Sequence, residues 1–177
     1  MKSKKSSIPK FPISNFKLPI ILGIDPGFAT TGYAFITEDQ KILSFGVIKT
    51  PAKTEFSQRL KTIHQDLNQL IKKYRPSAVA VEKIYFAKNA KTAIDVGQAR
   101  GVILLTLMLN NIPLFEFTPL QVKQATCGYG KADKCQIQNM IKSIFKLKQI
   151  PKPDDAADAL AVALTYLSSK KFNDKIK

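Results

Sequence analysis

Apolar residues recur in this chain with two different periods, and the change of period separates strands from helices. Ile20 to Ile24 is a short apolar run closed by the turn signal Asp25-Pro26-Gly27. Tyr33 to Thr37 and Ile42 to Lys49 are two further β-rich runs, parted only by the polar stretch Glu38 to Lys41. So short a separation predicts hairpin neighbours, and hence a sheet that opens antiparallel. Phe56, Leu60, Ile63, Leu67, Leu70, Ile71 and Tyr74 then recur at steps of mostly three and four, the pattern of an amphipathic helix. That helix should stop before Arg75-Pro76, because a residue preceding proline resists helical geometry. Ala78 to Val81 reads as a buried strand ending in Glu82, Asn89 to Asn110 as a second helix, and Ile112 to Phe117 as a fifth strand. Two or three helices fill the rest, over Pro119 to Thr126, Ala132 to Leu147 and Asp154 to about Ser169. Strands separated by helices require crossover connections. The predicted fold is therefore α/β, a five-stranded mixed sheet of three antiparallel then parallel strands, with helices on both faces.

Length and charge narrow the function. With 177 residues the chain holds one ordinary domain. Lys and Arg number 28 against 13 Asp and Glu, a formal net charge of +15. Such a surplus bears on partners rather than on fold, and nucleic acid is the natural polyanion. A generally Lys-rich composition would produce the same number, so charge alone does not decide. Residues 1–19 carry five Lys and no acid, and residues 170–177 four Lys and one acid. The stretch between them still stands at +7. We divide the chain into a basic, disordered N-terminal arm (1–19), a folded domain (20–169) and a Lys-rich C-terminal tail (170–177), also expected to be disordered. The arm has no apolar core of a secretory signal and no Arg, which argues against targeting to an organelle without excluding it. Cys127 and Cys135 have no metal-ligand spacing, the single His64 excludes a multi-histidine metal site, and no apolar run reaches bilayer length. A reduced, cytoplasmic protein is the expectation.

Acidic residues close several of the apolar segments: Asp25 after the first strand, Glu82 after the fourth, and Asp155 with Asp158 at the start of the last helix. The helical pair is spaced i, i+3 and shares a face, and α/β sheets collect their chemistry at strand ends. Each acid has a plainer explanation. Asp25 could serve only its turn. Asp154, Asp155 and Asp158 could be cap and first-turn residues favoured by the helix dipole. Glu82 is harder to explain in that way, because it continues the apolar run Ala78-Val79-Ala80-Val81. Carboxylates brought together raise one another's pKa, and in a chain that attracts phosphates they also repel the ligand. Hard divalent cations resolve both conflicts: Mg²⁺ takes oxygen ligands from carboxylates and phosphates, and a pair of such ions can serve an in-line phosphodiester displacement. An acidic cluster inside a basic chain thus reads as a nuclease.

Several segments resemble the RuvC family of Holliday-junction resolvases. They are Ile21-Leu22-Gly23-Ile24-Asp25-Pro26-Gly27 with Thr31-Gly32-Tyr33, Val81-Glu82 with Ala87-Lys88-Asn89, and Gly97-Gln98-Ala99-Arg100-Gly101. Gln121-Val122-Lys123-Gln124 and Asp155-Ala156-Ala157-Asp158-Ala159-Leu160 continue the series in the same order along the chain. The resemblance implies a ribonuclease H-like fold, a homodimer, and paired symmetric nicks at four-way junction DNA that leave 5′-phosphate and 3′-hydroxyl ends. It implies that Asp25, Glu82, Asp155 and Asp158 are both the catalytic and the metal-binding residues, for Mg²⁺, two ions per subunit, with Mn²⁺ able to substitute. Some relatives carry His where this chain has Asp158. A complex with a branch-migration helicase is a further implied partner.

For DNA contact the expected residues are Tyr85, Lys88, Asn89, Lys91, Lys123 and Lys134. Tyr85 stands where the family has a base-stacking Phe, in a loop from Lys83 to Lys91 that mixes aromatics with bases. Phe86 would pack in the core. Lys123 and Lys134 match residues that the resemblance places on the junction backbone; taken alone they would be solvated helix surface. Ala93, Gly97 and Gly101 recur at four-residue steps in the second helix, which suits either close packing within the chain or a dimer face. Two other functions remain in view, a junction binder without catalysis and a relative of the actin-like ATPases, whose phosphate loop Gly23 to Gly27 also resembles. The four acids argue against the first, and the single domain against the second.

Among the last acids, a helix beginning after Pro153 would place Asp154 at the N-cap and leave Asp155 free to face a metal.

Overall fold

In the computed structural model, which describes residues 18–84 and 90–176, five strands form one sheet in the order β3-β2-β1-β4-β5. The strands are β1 (Ile20–Asp25), β2 (Thr30–Thr37), β3 (Ile42–Lys49), β4 (Ala78–Glu82) and β5 (Leu114–Phe117). Strands β1, β2 and β3 pair antiparallel, whereas β4 joins β1, and β5 joins β4, in parallel. The helices are α1 (Phe56–Tyr74), α2 (Ala90–Leu109), α3 (Pro119–Cys127), α4 (Lys134–Ile144) and α5 (Asp154–Ile176). The succession of elements and the mixed sheet of three antiparallel then parallel strands agree with the expectation from periodicity; the pairing of β4 with β1 is added by the structure.

Alternation along the strands sorts their side chains onto two faces. Leu22, Ile24, Phe35, Val79 and Val81 point to one face and pack with Ile63, Leu67 and Tyr74 of α1 and Ile103 and Leu107 of α2. Ile21, Ala34, Ala80 and Phe117 point to the other and meet α3, α4 and the Ala-rich stretch of α5. This second face also holds large residues such as Ile36 and Ile141, but small ones mark the seam where α5 crosses β1 and β2. A Cβ on Gly23 would collide with the Ala159 carbonyl oxygen, and one on Gly32 with that of Asp155. The absence of side chains there lets α5 lie directly on β1 and β2.

Several boundaries differ from the expected ones for local reasons. Strand β5 begins at Leu114, two residues late, because Asn111 turns back in a left-handed conformation (φ 52°). Helix α4 begins at Lys134 rather than Ala132, because Asp133 caps it: its side chain accepts from the Gln136 N–H at 2.8 Å, and Gln136 Oε1 accepts from the Asp133 N–H at 2.9 Å. Thr118 and Gln121 form the same reciprocal box at the head of α3. Helix α5 does not stop near Ser169 but continues to Ile176, with Lys170 paired to Glu38 of the β2–β3 turn. Helix and ion pair tie the start of the expected tail to the domain.

Candidate metal and DNA site

Strand register brings the first two acids together. Ile24 lies opposite Val81, so Asp25 and Glu82 are the next residues along two adjacent parallel strands. Alternation sets both on the α5 face, because Ile24 and Val81 point to the α1–α2 side. Asp25 pairs with Gly32 of β2, and the Asp155 backbone sits on that glycine. Asp158, one turn further along α5, shares a cleft of 210 Å³ with Glu82, Lys123 and Lys134. All four predicted acids therefore meet at one end of the sheet.

Their electrostatics follow from this placement. Burial, then the charges of Glu82, Asp158 and Asp155, hold the Asp25 carboxyl well above the usual carboxylate range, with Lys134 opposing. Burial, then Asp158, pushes Glu82 up to about 7 against the pull of Lys123. Asp158 is raised by burial and by Asp155 and Asp154, less the opposing pull of Lys134. Lys134 contacts Asp158 at 3.3 Å and Asp154 at 3.4 Å. Burial lowers its ammonium, but the two carboxylates outweigh that and raise it overall.

Among the described residues, no group of three or more His, Cys, Asp or Glu side chains is arranged to hold a metal ion. The donor chemistry nevertheless fits a hard divalent cation. Half-buried, all-oxygen and mutually repelling carboxylates are what such an ion would neutralise.

Asp154 is not the N-cap of α5; it is the first helical residue, exposed and held by Lys134, while the Pro153 carbonyl accepts from the Ala156 N–H at 3.0 Å. Lys134 is not mere solvated surface, since it is engaged with two acids. Tyr85, Phe86, Lys88 and Asn89 lie outside the described residues, as does the side chain of Lys91.

Sequence reasoning overlooked Gly23 and Gly32 as the positions that admit α5. The signal was present in the pairing of two strand glycines with the run of alanines in the last helix. For Gly101 the structure answers one of two open questions: a Cβ there would meet nothing within 4 Å, so close packing inside the chain does not explain it.

With this geometry in place, the comparisons with known proteins are decisive. The family model for crossover junction endodeoxyribonuclease RuvC matches residues 21–166. The chain belongs to the RuvC family. It is 51% identical to the crossover junction endodeoxyribonuclease RuvC of Halothermothrix orenii over 159 residues, 88% of this chain and 96% of that one. The RuvC of Caldicellulosiruptor saccharolyticus is 50% identical over 84% of this chain and 92% of its own length. Among solved structures, Thermus thermophilus RuvC in complex with a Holliday junction substrate superposes with a TM-score of 0.82 at 33% identity, covering 88% of this chain and 96% of that one. The yeast mitochondrial Holliday junction resolvase Ydc2, at 15% identity and TM-score 0.60, covers 94% of this chain and 89% of that one and shares the fold. Membership of the RuvC family implies an endodeoxyribonuclease that depends on a divalent metal.

Proposed function

We propose that this protein resolves four-way DNA junctions by paired, symmetric, Mg²⁺-dependent nicks, in DNA recombination and repair. The observation that carries the reading is the meeting of Asp25, Glu82, Asp155 and Asp158 at one sheet end, flanked by Lys123 and Lys134, in a chain of the RuvC family. The four acids are the residues that would hold the ions, two per subunit. When bound, such ions would activate water and offset charge on the phosphodiester oxygens, with Mn²⁺ able to substitute. Lys123 and Lys134 bind the phosphate and orient it towards the carboxylates. Lys134 must then exchange Asp154 for phosphate, which a half-exposed ion pair permits at little cost.

Two equivalent cuts call for two sites related by a two-fold axis. Helix α2 supports a homodimer. Ile94, Leu105, Met108 and Leu109 are 70, 58, 59 and 65% exposed, and with Gly101 they form a stripe at helical spacing that turns to solvent. A second copy laid along α2 would cover it. A branch-migration helicase complex is a further expected partner.

The test is incubation of the protein with a synthetic four-way junction, a linear duplex and an RNA–DNA hybrid, with Mg²⁺ or with EDTA. Symmetric nicking of the junction only with metal is the expected result, and EDTA should leave junction binding largely intact. Comparable cutting without metal would overturn the carboxylate mechanism. A monomer that still cuts both strands in concert would overturn the dimer.

A further inference from the structure

The residues assigned so far use only part of the basic surplus on the α5 face. Between Asp133 and Asp154 the chain has no acid, yet it carries Lys142, Lys146, Lys148 and Lys152 as well as Lys134. Among the described residues none of those first four lysines has a carboxylate within ion-pair distance, unlike Lys134. Three of them, Lys142, Lys148 and Lys152, line a groove of 660 Å³ floored by Phe45, Ile150 and Pro151, and no acid lines it.

The position of this groove is informative. Phe45 belongs to the edge strand β3 and lies opposite Ala34. The groove is therefore two strands from β1, on the opposite side from the cleft of Glu82 and Lys123. It is also connected to the metal site at both ends. Helix α4 starts at Lys134 in the cleft and reaches Lys142 in the groove, eight residues or about 12 Å along its axis. Lys152 in turn is followed by Pro153 and the first residue of α5. A span of about 12 Å corresponds to three or four base pairs of B-DNA.

We infer that this groove is a second phosphate-binding surface, which holds the backbone of a duplex arm a few base pairs from the cut. The inference rests on the resolvase reading and adds to it a contact outside the crossover. Uncompensated lysines spread along an open groove suit a polyanion of regular charge spacing, and the apolar floor keeps the lysine stems in place while their ammonium groups stay in water. Through this contact the arm sets the angle at which the scissile strand enters the carboxylate site.

The experiment measures junction binding in EDTA as a function of salt, for wild type, for Lys148→Ala with Lys152→Ala, and for the corresponding pair of arginine substitutions. Long-armed junctions and junctions with arms of about three base pairs are compared. Lys61→Ala with Lys72→Ala, on the far face of α1, serves as a charge-matched control. On long arms the alanine pair should reduce the logarithmic salt slope by about two units, since each phosphate contact contributes about 0.9. The arginine pair should keep the slope, the control should leave it unchanged, and short arms should abolish the difference. Wild-type protein that binds no junction overturns the resolvase reading. Wild-type binding with an unchanged slope in the alanine pair overturns the groove alone, as would an equal loss on short arms.

Discussion

The two faces of the sheet are packed by different means, and the difference shows where the chemistry lies. On the α1–α2 face, Phe35 stacks on Tyr74 with ring centroids 4.3 Å apart, and the large side chains of Ile63, Leu67, Ile103 and Leu107 fill the space between helix and sheet. At the α5 seam on the other face, Gly23 meets Ala159 and Ala163, Gly32 meets the Asp155 backbone, and Ala34 and Ala80 pack in the same cluster. Large residues can repack when one is altered, so that face tolerates change. Backbone against backbone leaves nothing that can yield. The closely packed face is the one that carries the carboxylates of Asp25, Glu82, Asp155 and Asp158, from three separate segments of the chain.

Neutralising an acid should separate function from stability most strongly. Asp25→Asn or Glu82→Gln should bring junction nicking below detection. The melting temperature of the metal-free protein should hold or rise, because a buried repulsion is removed. A variant that melts markedly lower would mean that the acids serve the fold instead.

Next in size is the glycine seat of α5. Gly32→Ala should cost about 1–3 kcal/mol or more from overpacking against the Asp155 carbonyl. The folded fraction should also nick more slowly, because the helix bearing Asp155 and Asp158 is displaced. Ile63→Val on the other face should cost about 0.5–1.5 kcal/mol and leave nicking per folded molecule unchanged. If both variants nick at the wild-type rate, close approach of α5 does not set the site.

A third prediction concerns pH. The folded-state value of Glu82, about 7, lies above the unfolded value of about 4.3. A group raised in this way stabilises the fold while protonated, and the contribution is lost as pH rises from the unfolded to the folded value. The metal-free protein should therefore lose stability between about pH 4.3 and 7, with Asp25 and Asp158 acting in the same sense. Added Mg²⁺ should raise the melting temperature more above this window than below it. Thermal melts with Mg²⁺ and with EDTA across the range provide the check; equal metal effects at both ends would contradict it.

The smallest effect distinguishes the two adjacent aspartates. Asp154→Ala removes one exposed partner of Lys134 and should cost at most about 1 kcal/mol, with nicking retained. Asp155→Asn should abolish nicking. Equal losses would show that Asp154 belongs to the site.

Much of this was legible in the residues themselves. Period-two runs, the seven-residue apolar stripe of α1 and the acids closing β1 and β4 pointed to the mixed sheet and its functional end, because alternation and strand ends are local properties. Helix boundaries were less legible. Asp133 and Thr118 announce their caps through a Gln three residues later, a signal available in the sequence but weaker than periodicity. At the head of α5, by contrast, the N-cap preference selects Asp154, yet Asp154 is the first helical residue and its carboxylate engages Lys134 instead.

The sequence by itself therefore determined the element types, the mixed sheet, the basic surplus and the four acids with their family resemblance, since all of these are written in spacing and residue type. Only the tertiary structure decided that Asp25 and Glu82 are neighbours on one face, that Gly23 and Gly32 admit α5, and that Lys134 reaches Asp158. It also placed three of the lysines between Lys142 and Lys152 around a single groove. Each of these depends on strand register or on how closely a helix approaches a sheet, and both are set by contacts between residues far apart in the chain.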